Sequence, residues 1–288
     1  ESDKIASRLI GNGFLSSKKD DDPDINIINT CTVTAKTDSK TRQLIRKIQR
    51  MYPDSLIVIT GCFVENNESF LIDNNILNVF KNNEKEEIVD FLIKRFKLSK
   101  KSNFCSSQHS RALIKIQDGC EQNCSYCIVP LVRGPYKSNN AEDIVNEINE
   151  KIEKGYQEIV LTGIHIGKYG YEKKDEFTLN DLILKILNET EIKRVRLSSL
   201  EINEINDDII NILKSDRIAK HLHVPLQSGS DKILKMMDRP YDSRYFKEVI
   251  KSIKSKLPDI AITTDIIVGH PYEDESDFHK TLDLVKDL

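Results

Sequence analysis

The chain has 288 residues, 39% of them hydrophobic and 31% charged, with no tryptophan and a formal net charge of −3. That content supports a sizeable core and excludes global disorder, while the near-neutral balance means that any contact with a polyanion must come from local basic patches. No apolar run approaches the roughly 18 residues of a membrane span, and no basic stretch followed by an apolar one marks a secretory leader.

Six cysteines occur, Cys31, Cys62, Cys105, Cys120, Cys124 and Cys127, three of them crowded into one short loop. In a long chain without a leader this points to a reduced, cytoplasmic setting and a metal site, not to disulfides. The chain opens on Glu1 instead of Met and closes on Leu288 inside a helical pattern, so it is expected to be part of something longer.

Taken in order, Ile25–Ile28 is a short strand ending at Asn29-Thr30-Cys31. A helix is expected from Asp38 to Met51, with Leu44, Ile45, Ile48 and Met51 on one face. Leu56–Ile59 is an almost wholly apolar strand ending at Thr60-Gly61-Cys62, and a helix from Glu84 to Phe96 follows. Continuous apolar strands bracketed by helices belong in a parallel sheet covered on both faces. The polar stretch 97–110, rich in Lys and Ser, reads as a linker. The chain therefore divides into an N-terminal parallel α/β domain at 1–97, a linker at 98–110 and a second domain at 111–288.

The second domain repeats the alternation more regularly. Strands are expected at Ala112–Ile116, Glu158–Leu161, Arg194–Leu197, His221–Val224 and Ala261–Val268. Helices are expected at Glu142–Ile152, Asn180–Leu187, Asn206–Leu213, Asp231–Met237, Tyr245–Ile253 and Ser276–Leu288. The first of these presents Ile144, Val145, Ile148 and Ile152 on one face, with Asn139 and Glu142 as its cap. Five β/α units in a row imply a right-handed parallel barrel or partial barrel. The fold class is α/β throughout.

The sharpest signal is Gly119-Cys120-Glu121-Gln122-Asn123-Cys124-Ser125-Tyr126-Cys127. Three thiolates spaced C-x3-C-x2-C can converge from one loop, and they leave one corner of an iron–sulfur cluster open for a ligand. The bland alternative is a zinc loop that borrows a distant histidine, His109 or His165. Cys120, Thr162-Gly163, Ser198-Ser199, Pro225–Gln227 and Gly269 each fall at or just past the C-terminal end of an expected strand, where barrel enzymes keep their chemistry. Any one of them alone also suits an ordinary strand-to-helix turn.

The cysteine loop on a β/α barrel resembles the radical S-adenosylmethionine (SAM) superfamily. Its flanks narrow the likeness: Ile116–Gly119 before it, Ile128-Val129-Pro130 and Arg133-Gly134 after it, Leu161–His165 with Tyr169-Gly170, Arg196–Glu201, His223–Ser230, Met237-Asp238-Arg239 and Thr264–Gly269. Together these resemble the methylthiotransferases over nearly the whole chain, most closely those acting on tRNA N6-threonylcarbamoyladenosine. The second domain is then an incomplete radical SAM (β/α) partial barrel, stopping before a sixth strand and before a C-terminal RNA-binding domain. His270-Pro271-Tyr272-Glu273 departs from the more usual Phe-Pro-Gly-Glu.

The resemblance implies that Cys120, Cys124 and Cys127 hold a [4Fe–4S] cluster that binds SAM. Tyr126 would pack on the cofactor adenine, or simply serve as a core aromatic. Thr162 and Gly163 would let the methionyl end approach. Ser199, Glu201 and Gln227 would bond ribose or substrate, Glu201 having a solvated loop acid as its alternative. Cys31 and Cys62 match two of the three ligands of an auxiliary [4Fe–4S] cluster; the third would precede Glu1. The alternative for each, taken alone, is a buried apolar cysteine. With that ligand missing, the fragment by itself is expected to be impaired.

The implied reaction adds a methylthio group to adenine carbon 2 of N6-threonylcarbamoyladenosine beside the anticodon. One SAM supplies a radical, a second a methyl group, and the auxiliary cluster the sulfur. The implied partners are the tRNA anticodon stem-loop and a reductant such as flavodoxin or ferredoxin. Arg42, Arg46, Lys47 and Arg50 on the first helix, and Arg133, Lys137 and Arg239 on the second domain, are candidate RNA-facing cations; the alternative is an ordinary solvated face. The same chemistry on another tRNA adenosine or a ribosomal protein, and a non-catalytic zinc-bearing RNA-binding module, stay open.

Overall fold

A computed structural model describes residues 1–17, 21–32, 34–97, 110–173 and 177–288. The chain forms two units: Glu1–Gln108 with Leu131–Arg133, and His109–Pro130 with Gly134–Leu288. Of the expected linker at 98–110 only Ser110 is among the described residues; Cys105 and His109 lie outside them.

The first unit runs α1 (Ser2–Gly11), β1 (Ile25–Thr30), α2 (Ala35–Met51), β2 (Leu56–Gly61), α3 (Cys62–Asn66), α4 (Glu68–Asp73), β3 (Asn78–Phe80) and α5 (Glu87–Arg95). Its three strands pair in the order β1-β2-β3, all parallel. Alternation along β2 sends neighbouring residues to opposite faces. Val58 packs with Ile5, Leu9, Ile88 and Leu92, whereas Ile59 packs with Ile28, Ile45, Phe63 and Leu71. The sheet is thus covered on both faces, which is why β2 is apolar throughout.

α2 starts where the Thr34 hydroxyl accepts the Thr37 N–H at 3.1 Å. Its inward face is Thr41, Ile45 and the partly buried Ile48; Leu44 and Met51, expected on that face, are exposed. Both lie to one side of that face, roughly 70–90° around the helix from its centre, so the stripe is narrower than the apolar pattern suggested. The helix expected from Glu84 begins at Glu87, after a single 3-10 turn at Asn82–Glu84.

The second unit runs β4 (Ala112–Lys115), β5 (Gln117–Asp118), α6 (Val129–Arg133, its last three residues grouped with the first unit), β6 (Lys137–Ser138) and α7 (Ala141–Glu153). Then come β7 (Glu158–Thr162), α8 (Leu179–Glu189), β8 (Arg194–Leu197), α9 (Asp207–Ile212), β9 (His221–His223), α10 (Asp231–Met236), α11 (Ser243–Lys256), β10 (Ala261–Thr263) and α12 (Glu275–Asp287). β4, β7 and β8 form one parallel sheet and β9 and β10 another. Parallel bridges Val195↔Ile218 and Ser199↔His223 continue β8 into β9. The five long strands thus follow one another in chain order, with their helices around a single core that includes Ile114, Ile159, Leu182, Val195, Leu222 and Ile253. This is an open (β/α) partial barrel.

Two local expectations are corrected. The cap of α7 is Asn140, whose side chain accepts the Glu142 N–H at 2.8 Å; Asn139 instead donates to the Lys115 carbonyl at 2.6 Å. The fifth strand ends at Thr263, because beyond it the ladder thins to one bridge, Gln227↔Ile266. α12 is capped by Asp274 and fastened to the start of α10, where Ser230 Oγ and Lys232 Nζ donate to Asp277, each at 2.7 Å. Among the described residues no helix is long and apolar enough to cross a membrane.

Candidate functional site

The cysteine loop grows from a two-residue antiparallel hairpin, in which Gln117 pairs with Ser138 and Asp118 with Lys137. Within it the Cys120 N–H donates to Gly134 O at 3.0 Å and the Cys127 N–H to Cys124 O at 3.0 Å. Ser125 ties the tip to the end of α10, its N–H to Met237 O at 3.2 Å and its Oγ to Met236 O at 2.8 Å. The loop is therefore held at its base, its middle and its tip.

The three thiols are free and partly buried. Cys120 Sγ lies 3.6 Å from His165 Nδ1 and accepts the Gln122 N–H at 3.4 Å. Burial alone would raise the Cys120 thiol, but the His165 hydrogen bond and the Gln122 N–H together carry it below its ordinary value. Burial pushes Cys127 up, with the charges of Cys124 and Cys120 adding to it. Cys124 Sγ accepts from Arg239 Nη1 at 3.3 Å. Thiolate is the form that binds metal. Three free thiols in one short loop, two of them flanked by nitrogen donors, suit a group taking thiolates at separate corners. Among the described residues no three His, Cys, Asp or Glu side chains are grouped closely enough to hold a single ion.

Arg239 is the hub of the rim. Its side chain is 2% exposed and pairs with Glu201, which is 15% exposed. Its Nε donates to Tyr241 OH at 3.2 Å, and Tyr241 OH donates to the Pro225 and Leu226 carbonyls at 3.0 and 3.1 Å. Burial raises the Glu201 carboxyl and the Arg239 charge opposes it. Glu201 is thus neither a solvated acid nor a free rim group, and Arg239 is not a free cation for RNA. Tyr126 stays partly exposed, its OH 3.5 Å from Arg239 Nη1, and burial raises its phenol.

Thr162 ends β7, its Oγ1 donating to Ile114 O at 3.2 Å. A Cβ at Gly163 would stand 2.8 Å from Ile166 Cγ2 and 2.9 Å from Gln117 O, so packing within the chain already demands the glycine. Ser199 is exposed beside His223. Gln227 has φ +66°, its N–H donating to Asp265 O and its carbonyl accepting from Ile267, both at 2.9 Å.

In the first unit the register of β1 and β2 pairs Thr30 with Gly61, so Cys31 and Cys62 are the next residues beyond adjacent strand ends. Gly61 has φ +103°, and a Cβ there would meet Thr30 O at 2.1 Å; only glycine lets the strands close at this point. Cys31 is exposed and Cys62 buried. Arg133 Nε donates to Cys62 Sγ at 3.1 Å and its Nη1 lies 3.6 Å from Glu1. Arg133 is thereby another expected RNA cation committed within the protein. Arg42, Arg46, Lys47 and Arg50 are exposed, as is Lys137. A shallow depression of about 400 Å³ on α2 is lined by Asp38, Ser39, Arg42, Gln43 and Arg46.

Residues 114–285 match the Radical SAM superfamily, and residues 1–80 match Uncharacterized protein family UPF0004. Threonylcarbamoyladenosine tRNA methylthiotransferase MtaB of Bacillus subtilis is 35% identical, over 92% of this chain and 62% of that one. MtaB of Aquifex aeolicus is 32% identical, over 99% of this chain and 74% of that one. The chain belongs to the radical SAM methylthiotransferases. Membership implies a [4Fe–4S] cluster and SAM as cofactors.

The tRNA-2-methylthio-N(6)-dimethylallyladenosine synthase of Clostridium botulinum is 31% identical, over 100% of this chain and 69% of that one. The fold is shared with the radical SAM methyltransferase TsrM from Kitasatospora setae, at TM-score 0.67 and 13% identity over 93% of this chain and 61% of that one. This radical SAM chain spans 62% of the length of the Bacillus relative.

Sequence reasoning missed the inward roles of Arg239 and Arg133. A signal existed for Arg239, since Met237-Asp238-Arg239 follows a helix end beside a strand exit; charge alone gave no means of telling a buried arginine from a solvated one.

Proposed function

We propose that the chain is the greater part of a tRNA methylthiotransferase that places a methylthio group on adenine carbon 2 of N6-threonylcarbamoyladenosine next to the anticodon. The observation that carries this is the three-thiol loop at the C-terminal rim of a partial barrel, in a chain whose MtaB relatives are named for that nucleoside. The bound clusters and SAM supply the radical, methyl and sulfur chemistry.

The protein's part is to hold and exclude. Cys120, Cys124 and Cys127 are the proposed cluster ligands, and the loop's three ties keep them facing one site. Arg239 sets a fixed positive charge beside Cys124. Tyr126, Thr162, Gly163, Ser199, Glu201 and Gln227 are the proposed neighbours of the cofactor. Cys31 and Cys62 are the proposed auxiliary ligands, and Arg133 directs an N–H at the second of them. The target base must leave its stack to meet the rim. The exposed cations of α2, with Lys137, are the proposed phosphate contacts. Electrons come from a small reductant protein of the flavodoxin or ferredoxin kind.

The test is mass spectrometry of tRNA nucleosides from cells lacking the full-length gene. Loss of 2-methylthio-N6-threonylcarbamoyladenosine, restored by complementation, is expected. Loss of the dimethylallyl form instead would favour the second reading, which the Clostridium relative supports.

A further inference from the structure

His165 follows β7 and is 5% exposed, yet both its ring nitrogens are engaged. Nδ1 lies 3.6 Å from Cys120 Sγ and Nε2 lies 2.6 Å from Glu204 Oε1. Glu204 is itself buried and fixed, since its Oε2 accepts the Glu201 N–H at 3.3 Å and Lys168 Nζ stands 3.8 Å from its Oε1. Gly167 makes room for it: a Cβ there would fall 1.8 Å from Glu204 Oε2.

The backbone is fastened too. Gln117 Oε1 accepts the His165 N–H at 2.8 Å, while its Nε2 donates to the carbonyls of Asp118 and Gly119 at 2.6 and 2.9 Å. One buried carboxamide thus positions the imidazole and the entry to Cys120 together. Tyr136 packs edge-on against the ring at 5.7 Å between centroids.

Chemistry then sets the direction of the bonds. A carboxylate oxygen can only accept, and a thiolate bound to iron has no proton to give. Acceptors face both nitrogens, so the ring donates to both. We propose that His165, held by Glu204, is the hydrogen-bond donor that sets the reduction potential of the cluster bound through Cys120. This rests on the assignment of Cys120 as a cluster ligand. His165 acts as a positioning residue. A donor at a ligand sulfur favours the more negative, reduced cluster, and such bonds are among the factors that tune iron–sulfur potentials.

The test compares His165→Leu, His165→Asn and Glu204→Gln in the full chain, all in a Cys31→Ala/Cys62→Ala background so that only the barrel loop carries iron. Each protein is reconstituted anaerobically with iron and sulfide, its iron is counted, and the cluster is titrated reductively with EPR detection. His165→Leu should keep its iron while its reduced-to-oxidised ratio at a fixed potential falls about tenfold, a shift of ~59 mV to more negative values for one electron. Glu204→Gln should shift the same way by less. His165→Asn, whose amide can place an N–H where Nδ1 stood, should recover most of the loss.

Equal potentials in the parent and His165→Leu, at equal iron, overturn the inference. If His165→Leu loses its iron, Glu204→Gln decides, and a parental potential there overturns it. A parent that takes up no EPR-active cluster refutes the cluster assignment itself, and the inference with it.

Discussion

Arg239→Met should cost the second unit about 3–5 kcal/mol. The Arg239 side chain is 2% exposed and its partner Glu201 15%, so deleting the guanidinium strands a carboxylate in the interior, and breaking such a pair carries a penalty of that size. Methionine keeps most of the volume, so little of the loss comes from a cavity. With a urea dependence of about 2 kcal/mol per molar, the midpoint should fall by ~2 M. Far-UV circular dichroism is the assay, because the chain has no tryptophan to report by fluorescence.

The decisive comparison is the double variant Arg239→Met/Glu201→Leu. An apolar pair in place of a buried ion pair is often neutral, so the double variant should recover most of the loss and show a coupling of about 2–3 kcal/mol. A midpoint that does not move in Arg239→Met, or a double variant whose loss equals the sum of the singles, refutes the reasoning.

Cys124→Ala should abolish SAM cleavage and lower iron per chain, because two thiolates do not hold a cubane with one corner open; a variant with full cleavage and full iron sinks that assignment. Gly61→Ala should cost about 1–3 kcal/mol from its strained backbone and lower iron at Cys31 and Cys62 while leaving the barrel's share, as read by iron analysis with and without Cys124→Ala. Asp277 is held well below the ordinary aspartate value of 3.8 by its bonds from Lys232, Ser230 and Lys280. Its contribution to stability is therefore present above that value and lost as the pH falls below it. Asp277→Asn should be less stable than the parent at neutral pH, with the gap closing in acid; a gap that stays constant with pH contradicts this.

The long apolar strands and the alternation of the barrel were legible because β2, β7 and β8 are long enough to show a pattern, and β7 is followed by the amphipathic α8. β3, three residues long, and the short helices α3 and α4 carry too little periodicity to be read. The cysteine loop and the places of Cys31 and Cys62 just beyond adjacent strand ends followed from the strand pattern, since a parallel register puts such ends side by side. Partners were not legible. Arg133 and Arg239 looked like surface cations, because a sequence shows a charge but not the thiol or carboxylate that meets it. His165 stood out only as a zinc alternative, because its contact with Cys120 joins positions far apart in the chain. Asn139 lost its capping role to Asn140, a one-residue ambiguity that only backbone geometry resolves.

The register that sets Thr30 beside Gly61 bears on the order of assembly. Cys120, Cys124 and Cys127 belong to one short loop, so a nascent chain brings them near one another by local motion alone. Cys31 and Cys62 are parted by all of α2 and come to adjacent strand ends only once β1, α2 and β2 have closed as a crossover. Closing that longer span costs about 1 kcal/mol more in chain entropy, and a one-residue slip would turn one thiol to the opposite face of the sheet. On the proposed ligand assignments, iron offered before the sheet is paired would therefore reach the barrel loop first. On the proposed assignment of Cys31 and Cys62, iron offered afterwards would bind the folded N-terminal pair and, by mass action, hold the crossover shut.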